Sequence, residues 1–251
     1  MTYIASKALG ITINKKRMRR IMKENNLLSG VRRKRYSDEV YKKLKELKNE
    51  KPEDLINRHF FAMVPKTRML VDITYLPGKE QTYYLNTIED LYNGEIVAWE
   101  IQDHPNAQLC MDTVMKLKKS GANLKDVIIH NDLGSSYMSK AYRGLLEELG
   151  IRISVGKKGS CYDNAPMESL NGIIKTEGLY CRFGKSRVEH HKIPFTSLIA
   201  AVTQFIFYYN HKRPKEALRG MSPVEFREQN PHGKYLVPIS VSKLDNTRKI
   251  I

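Results

Sequence analysis

The feature that most constrains the fold is the order of apolar, strand-forming runs in the middle of the chain. The first three runs follow one another with only short turns between them, which predicts an antiparallel meander. The last two alternate with segments of helical periodicity at 107–118 and 140–149. The five runs are 69–76, 81–88, 95–101, 127–130 and 152–155. This order predicts an α/β fold with a mixed five-stranded sheet flanked by helices, in which the first strand is central and the fourth lies beside it.

Composition and periodicity divide the sequence into three parts. Residues 1–57 are basic and helical in pattern, and we expect a small all-α module that ends in a linker starting at Lys51-Pro52. Residues 58–227 contain the five runs and two closing helical segments, and they form the predicted α/β core. Residues 228–251 show no clear period, which predicts a loosely packed or partner-dependent tail.

The charge of the chain is strongly positive and unevenly distributed. The 43 Lys and Arg residues outnumber the 27 Asp and Glu residues, which gives a net charge of +16. Residues 1–51 carry 16 of the basic and 5 of the acidic residues, or +11 of the total. Polyanions are the expected partners of such a chain, and nucleic acid is the commonest of them. A solvated basic surface would explain a charge run, but it explains less well a charged segment with helical periodicity.

Helical periodicity in the basic segment begins at Asn14, which is a good N-cap for the helix that follows. The stretch 3–9 before it ends at Gly10, so this part has a helix-turn-helix-like pattern, with a basic helical hairpin as the alternative. A basic cluster follows at 32–35, and a second charged helix is predicted near 41–47. The candidate DNA contacts in this module are Lys16, Arg17, Arg20, Arg33 and Arg35.

The sequence does not indicate a secreted, a zinc-stabilised or a membrane-spanning protein. The three cysteines, Cys110, Cys161 and Cys181, form no CxxC pair, so neither a disulfide framework nor a cysteine zinc site is predicted. The longest apolar stretch, 195–209, is too short to span a bilayer, and no signal peptide is recognised. We therefore expect a soluble cytoplasmic protein without a membrane partner.

Three carboxylates have positions that the predicted elements bring together. Asp72 lies within the first, apolar strand, where an uncompensated charge is costly to bury. Asp132 directly follows the fourth strand, and Glu168 lies in the first turn of a helix that begins after Asn164. Each has an ordinary explanation by itself, as a turn former or as a residue that favours the helix dipole. Because the first and fourth strands are predicted neighbours, however, both aspartates can meet at one site, with Glu168 supplied by the helix.

Three convergent carboxylates without His or Cys are hard oxygen ligands that suit Mg²⁺ or Mn²⁺. Two such ions about 3.5–4 Å apart support an in-line displacement at phosphorus. Aspartic proteases and glycosidases also use paired carboxylates, but the basic, DNA-binding-like segment makes those activities less consistent with the chain.

Beyond Glu168, the spacing of the helix places Asn171 and Lys175 on the same face, at i+3 and i+7. Met167, Leu170 and Ile174 form the adjacent apolar stripe, which is expected to seat the helix on the sheet. Lys175 is therefore placed where it can bind a DNA phosphate; a plain surface lysine is the alternative.

These residues resemble the DDE motif set of bacterial insertion-sequence transposases, and in particular the second-frame (OrfB-type) proteins of frameshifting insertion sequences. Thirty-five residues lie between Asp132 and Glu168, and Lys175 follows the glutamate by seven places, as in that family. Asn131 departs from the family, in which serine is usual. The segments that carry the resemblance are 71–76, 130–134, 159–168, 209–214 and 218–226.

The resemblance implies an RNase H-like integrase catalytic core with Asp72, Asp132 and Glu168 as catalytic and metal-binding residues. It implies cleavage of the 3′ ends of the element and their transfer into double-stranded target DNA, with two Mg²⁺ or Mn²⁺ ions as the expected cofactor. A homo-oligomer on DNA, a first-frame partner or fusion, and association with the bacterial nucleoid are implied as well. A nuclease that cuts without joining, and a non-catalytic protein that binds element ends, are the alternatives.

Overall fold

The computed structural model describes Gly10 and residues 12–25, 52–156 and 164–233 of the 251-residue chain. The chain forms two compact units, which divide between Lys51 and Pro52. Several expectations lie outside the described residues. They are the first helix at 3–9, the contacts of Arg33 and Arg35, the second charged helix at 41–47 and most of the tail after Gly233.

The described part of the first unit contains helix α1, Lys15–Glu24. Asn14 caps it as predicted, because the Asn14 Oδ1 atom accepts a hydrogen bond of 2.8 Å from the backbone N–H of Lys16. No side chain of α1 is buried. The pairing of α1 with a second helix, which a helix-turn-helix requires, therefore stays a prediction.

The second unit is built on the mixed five-stranded sheet that the sequence predicts, with strand order β3-β2-β1-β4-β5. The strands are β1, Arg68–Pro77; β2, Thr82–Asp90; β3, Ile96–Gln102; β4, Ile128–Asn131; and β5, Arg152–Val155. The first three form the antiparallel meander, whereas β4 pairs parallel to both β1 and β5. The prediction of a central β1 with β4 beside it is confirmed.

The pairing of β1 with β4 is short. It joins 68–70 of β1 to 128–130 of β4, whereas β1 continues to Pro77. From Val71 onward, β1 is paired on one side only, with β2. This free edge of β1 leaves room beside Asp72, and the chain that leaves β4 enters the same region at Asp132.

Helices cover both faces of the sheet. One face packs against α2, Ala107–Lys119, and α3, Lys140–Glu148, through a core that includes Val71, Val114 and Leu146. The other face packs against α4, Ala165–Ile173, and α6, Phe195–His211, through a core that includes Leu70, Leu170 and Val202. Burial of these apolar side chains is the main favourable free energy of the fold. The shorter elements of the second face are a π-helical segment, Ile174–Tyr180; a helical turn, Cys181–Phe183; and α5, Lys185–Glu189.

The helix predicted over 165–179 is not a continuous α-helix, because it changes to the π-helical segment at Ile174. Within that segment Gly178 lies against the ring of Phe205 on α6, and a Cβ atom added there would be 2.9 Å from Phe205 Cγ. Glycine therefore permits the close approach of the two helices, while the periodicity of the sequence gives no sign of the change. Such π turns occur often at functional sites.

The predicted linker after Lys51 is wrong for its second half, because this segment packs on β5. The backbone N–H of Leu55 donates to Ser154 Oγ at 2.8 Å, and the N–H of Val155 donates to Glu53 O at 3.1 Å. Ile56 is fully buried. The polar, proline-containing sequence hides this role because the contacts are made to residues about a hundred positions away.

The end of the second unit packs against the β2–β3 hairpin through one helix. Helix α7, Pro223–Gln229, begins with a capping box between Ser222 and Glu225. Phe226 of this helix packs against Tyr92, and a small separate core forms around them. Among the described residues, no helix has the length and apolar character needed to cross a membrane.

Candidate active site

Asp72 lies half-buried on the central strand, beside the free edge of β1. Its Oδ2 atom accepts a hydrogen bond of 2.8 Å from the side-chain amide of Asn171 on α4. Asn171 is only 7% exposed, and within the described residues its Oδ1 atom has no hydrogen-bond partner. The amide of Asn171 thus orients the Asp72 carboxylate directly. A contact of Asn171 with DNA, which its place on the face of Glu168 and Lys175 suggests, stays a prediction.

The electrostatic environment of Asp72 disfavours its charge. Burial and, after it, the negative charges of Asp132 and Glu168 together raise the pKa of Asp72 to about 7, against the hydrogen bonds from Ile73 and Asn171 that lower it. Among the described residues, no basic side chain forms an ion pair with it. A cation placed between the carboxylates would reverse this effect, because it stabilises the ionised form.

Asp132 lies at the exposed end of β4, in a turn that its own carboxylate stabilises. The backbone N–H of Gly134 donates to Asp132 Oδ1 at 2.8 Å, which leaves the second carboxylate oxygen for another ligand. The Asn131 side chain donates to the Asp132 carbonyl at 2.7 Å. Burial and, after it, the negative charge of Asp132 raise the pKa of the Cys110 thiol to about 12. The charge of Asp132 therefore acts on the first turn of α2, where Cys110 lies.

A buried polar network fixes the turn that carries Asp132. The hydroxyl of Tyr137 donates to Asn86 Oδ1 at 2.7 Å, and the Asn86 amide donates to Thr113 Oγ1 at 2.9 Å. All three residues are almost fully buried. The network connects the turn after β4 to β2 and α2. No local sequence pattern indicates it, because Asn86 and Tyr137 are 51 residues apart.

Glu168 lies on the exposed face of the first turn of α4. The neighbouring Met167 and Leu170 are buried against the sheet, as the predicted apolar stripe requires. Asn164 is the N-cap residue, but its side chain makes no capping hydrogen bond, contrary to the expected role. The position of the helix therefore depends on its apolar face rather than on the cap.

Lys175 lies in the π-helical segment, with its ammonium group 3.7 Å from the centre of the Tyr75 ring. Burial lowers the pKa of Lys175, and the negative charge of Asp72 partly offsets this. The lysine is therefore near the carboxylates, as predicted. Its aromatic neighbour Tyr75, which is 59% exposed, was missed at the level of the sequence, where it looked like an ordinary strand residue.

The carboxylates surround a cleft but do not form a closed metal centre. Asp72 and Asp132 line a cleft of about 310 Å³, and Glu168 is close enough for its charge to affect Asp72. In the described ranges, no three His, Cys, Asp or Glu side chains are grouped as ready-made ligands of one ion. The chemistry of the donors nevertheless fits a hard divalent cation, since they are carboxylate oxygens and the pKa of Asp72 is raised by burial and by its carboxylate neighbours.

The structure shows only the exposure of the basic residues of α1 and one ion pair made by one of them. Lys16, Arg17 and Arg20 are all exposed, and Arg20 lies 3.6 Å from Glu24 in an exposed ion pair. Their contacts with DNA stay predictions, as do those of Arg33 and Arg35.

Comparison with known sequences identifies the second unit. Two family profiles, both described as integrase core domain, match residues 64–161 and 149–223. An uncharacterized transposase-like protein of Haemophilus influenzae is 33% identical over 222 residues, which cover 88% of this chain and 95% of that protein. The putative transposase InsK for insertion sequence element IS150 of Escherichia coli is 28% identical over 220 residues, with 88% and 73% covered. The transposase for insertion sequence element IS904 of Lactococcus lactis is 33% identical over 182 residues, with 70% and 67% covered.

Solved structures show the same fold. An intasome of simian T-cell lymphotropic virus in complex with PP2A regulatory subunit B56 gamma contains a chain that matches with a TM-score of 0.52 and 20% identity, over 65% of this chain and 54% of that one. The HTLV-2 integrase catalytic core domain in complex with magnesium matches with a TM-score of 0.50 and 17% identity, over 66% and 98%. The RNase H-like fold predicted from the strand order is confirmed.

Sheet topology and profile matches together define a protein of the integrase-core class. Within that class, the chain belongs to the family of bacterial insertion-sequence transposases. The resemblance recognised in the sequence is thereby confirmed at the level of the family.

Proposed function

We propose that this transposase cleaves the 3′ ends of an insertion sequence and joins them to target DNA in a metal-dependent reaction, with Asp72, Asp132 and Glu168 as catalytic residues. The observation that carries the proposal is that Asp72 and Asp132 line one cleft beside the free edge of β1, with Glu168 near enough for its charge to act on Asp72. In an integrase core, a cleft with this donor set suits phosphoryl transfer.

The same three carboxylates would hold Mg²⁺ or Mn²⁺, and we propose two ions. When bound, such ions supply the activation of a water or 3′-hydroxyl and the stabilisation of the leaving oxygen. The protein's own contribution is to position the ligands. Asn171 fixes one oxygen of Asp72, and the Gly134 N–H fixes one oxygen of Asp132.

Substrate DNA is proposed to lie across the same cleft. Lys175, half-buried and close to Asp72, is suited to bind a phosphate next to the scissile one. The exposed basic residues of α1, together with Arg33 and Arg35, would bind the backbone of the element end and contribute affinity rather than chemistry.

The assembly and location of the protein follow from this activity as proposals. Joining two element ends to one target requires more than one active site, so we propose a homo-oligomer on DNA. A first-frame partner or fusion is proposed to contribute to end recognition, and the bound protein would be associated with the nucleoid in the cytoplasm.

The test is a joining assay with labelled element-end DNA and a plasmid target in Mg²⁺ or Mn²⁺. Glu168→Gln and Asp132→Asn are expected to abolish both cleavage and joining while leaving DNA affinity largely unchanged. Glu148→Gln, which neutralises an exposed glutamate on α3, is the matched control and should keep full activity.

The outcomes separate the candidate functions. Joined products that disappear in both active-site variants support the proposal. Cleavage without joining would identify a nuclease instead, and tight binding without either reaction would identify a non-catalytic DNA-binding protein. Activity retained in Asp132→Asn would show that the site assignment is wrong.

A further inference from the structure

Tyr75 is an exposed aromatic side chain that the proposed chemistry does not use. It lies on β1 three residues after Asp72, beyond the last residue that β4 pairs, and 59% of its surface is accessible. Tyr75 lines two clefts, the cleft of Asp72 and Asp132 and a second cleft that shares this residue with it. An exposed aromatic ring at the edge of a charged site is a common recognition element, because it has a large flat face and loses little entropy on binding.

The second cleft, called here the side cleft, has a volume of about 340 Å³. This size falls within the range of about 300–1,000 Å³ for clefts that bind small ligands, and it is far too small for a double helix. Its walls combine apolar and aromatic surface with charged and polar groups. Those that matter here are Tyr75, Lys175, Tyr180, Val188, Glu189 and His191. A flat aromatic base with an attached phosphate matches this mixture of groups.

Lys175 is placed to bind the phosphate of such a nucleotide. Its ammonium group lies over the Tyr75 ring at 3.7 Å, in a cation–π contact. This contact is weaker than a charge-assisted hydrogen bond to phosphate, and the lysine side chain has the rotatable bonds to exchange one for the other. The exchange would bare the face of the ring that the ammonium covers, so the binding of phosphate and the stacking of a base become coupled.

We propose that the side cleft binds one unpaired nucleotide of the DNA substrate, with its base stacked on Tyr75 and its phosphate bound by Lys175. The nucleotide is unpaired because the faces of a base inside a duplex are covered by its neighbours, whereas a base released at a strand end offers a face to an aromatic side chain. This inference rests on the proposed DNA-joining function, since Tyr75 also lines the cleft of Asp72 and Asp132, in which the scissile phosphate is proposed to bind.

The experiment uses the full-length chain, Ca²⁺, and a DNA duplex with one unpaired terminal nucleotide replaced by the fluorescent base 2-aminopurine. Stacking on the Tyr75 ring is expected to quench its fluorescence with the wild-type protein and with Tyr75→Phe, which keeps the ring. Tyr75→Leu should abolish quenching and weaken binding of this DNA about tenfold, with little change for a fully paired duplex. Tyr208→Leu, at a 44% exposed tyrosine on α6, is the matched control and should behave as wild type.

Quenching that persists in Tyr75→Leu, or an equal loss of affinity for paired and unpaired DNA, would overturn the inference. Thermal unfolding of each variant verifies that the fold is kept, and Tyr75→Phe tests the ring independently of any folding defect. Joining in Mg²⁺ is measured in parallel. Joining without quenching in the wild type would refute the side cleft as a nucleotide site and leave the proposed function standing. Quenching without cleavage or joining would refute the proposed function and leave the nucleotide site standing.

Discussion

Carboxylates withdrawn from solvent occur at two places on the same sheet, Asp72 in the proposed active-site cleft and three others at the β2–β3 hairpin. Their charges are compensated differently. At the hairpin, Glu89 lies near the ammonium group of Lys215, and Glu95 forms an ion pair of 2.7 Å with Arg227. Asp90 accepts hydrogen bonds from the backbone N–H groups of Lys66 and Tyr92. Lys215 and Arg227, from the closing segments of the chain, thus supply cations to Glu89 and Glu95, although burial still raises the pKa of Glu89 to about 7 and that of Asp90 to about 6.

In the cleft, the compensation within the chain is incomplete. Asp72 has the amide of Asn171 as its side-chain partner, and its carboxylate neighbours raise its pKa rather than lower it. A charge that the fold leaves uncompensated is available to an external cation and to the reaction. The two places therefore differ in whether the chain supplies a cation to its carboxylates, and we propose that those of the cleft are kept for a metal ion and for catalysis.

The largest expected effect is a loss of DNA joining when a carboxylate of the proposed active-site cleft is neutralised. Asp72→Asn should lower joining by roughly a thousandfold or more, because it removes a charged ligand from the proposed metal site. The check is the rate of joining in Mg²⁺, with Glu148→Gln as the control. A variant that retained even a tenth of wild-type activity would place the reaction elsewhere.

At the β2–β3 hairpin, the expected effect is a lower free energy of unfolding. Lys215→Met should lower the free energy of unfolding by about 3 kcal/mol, because it leaves the buried Glu89 without its cation. The double variant Glu89→Gln/Lys215→Met should recover most of that loss. Chemical denaturation of both variants measures the coupling, and independent, additive effects would show that the two groups do not compensate each other.

The pH dependence of stability should differ between wild type and Asp72→Asn without divalent metal. The folded-state pKa of Asp72, about 7, is above its ordinary value of 3.8. The stability associated with the protonated carboxyl is therefore present below about pH 4 and is lost as the pH rises to about 7. At pH 8, Asp72→Asn should be more stable by about 1–3 kcal/mol, a figure reduced for the partial exposure of the group.

Thermal unfolding between pH 5 and 8 in EDTA provides the measurement, taken as the difference between the two proteins. Mg²⁺ should restore much of the lost stability to the wild type only. A pH-independent difference would mean that Asp72 is ionised as readily in the folded protein as in the unfolded chain.

A smaller effect is expected in the buried polar network next to the turn that carries Asp132. Tyr137→Phe leaves Asn86 Oδ1 without its donor and should cost about 1–2 kcal/mol of stability, together with a loss of joining of about tenfold as Asp132 loses its fixed position. Tyr142→Phe is the matched control, since within the described residues the Tyr142 hydroxyl has no hydrogen-bond partner. Its removal should be neutral or slightly stabilising. Equal effects of the two variants on joining would argue against a positioning role for Tyr137.

The sequence was sufficient to predict the strand order, the central position of β1 and the approach of Asp72 to Asp132. These features depend on local periodicity and on the rule that parallel neighbours end on the same side of a sheet. Asn171 and Lys175 could also be located, because each lies within two turns of Glu168 along the chain.

Other features depend on contacts between distant residues, which no local pattern encodes. The bond between Asn86 and Tyr137 spans 51 residues, and that between Leu55 and Ser154 spans 99. The π-helical segment was missed for a related reason, since its apolar positions resemble those of an α-helix and its cause lies in the packing against α6.

The π-helical segment also has a genetic consequence. Its backbone closes each turn over one more residue than an α-helix does, so the loss of a single codon there can be absorbed by a return to α-helical winding. The side chains beyond such a deletion would then keep the faces they have now, because the π turn takes up the extra residue locally. A one-residue deletion near Lys175 would thus spare the fold while changing which side chain lies over the Tyr75 ring.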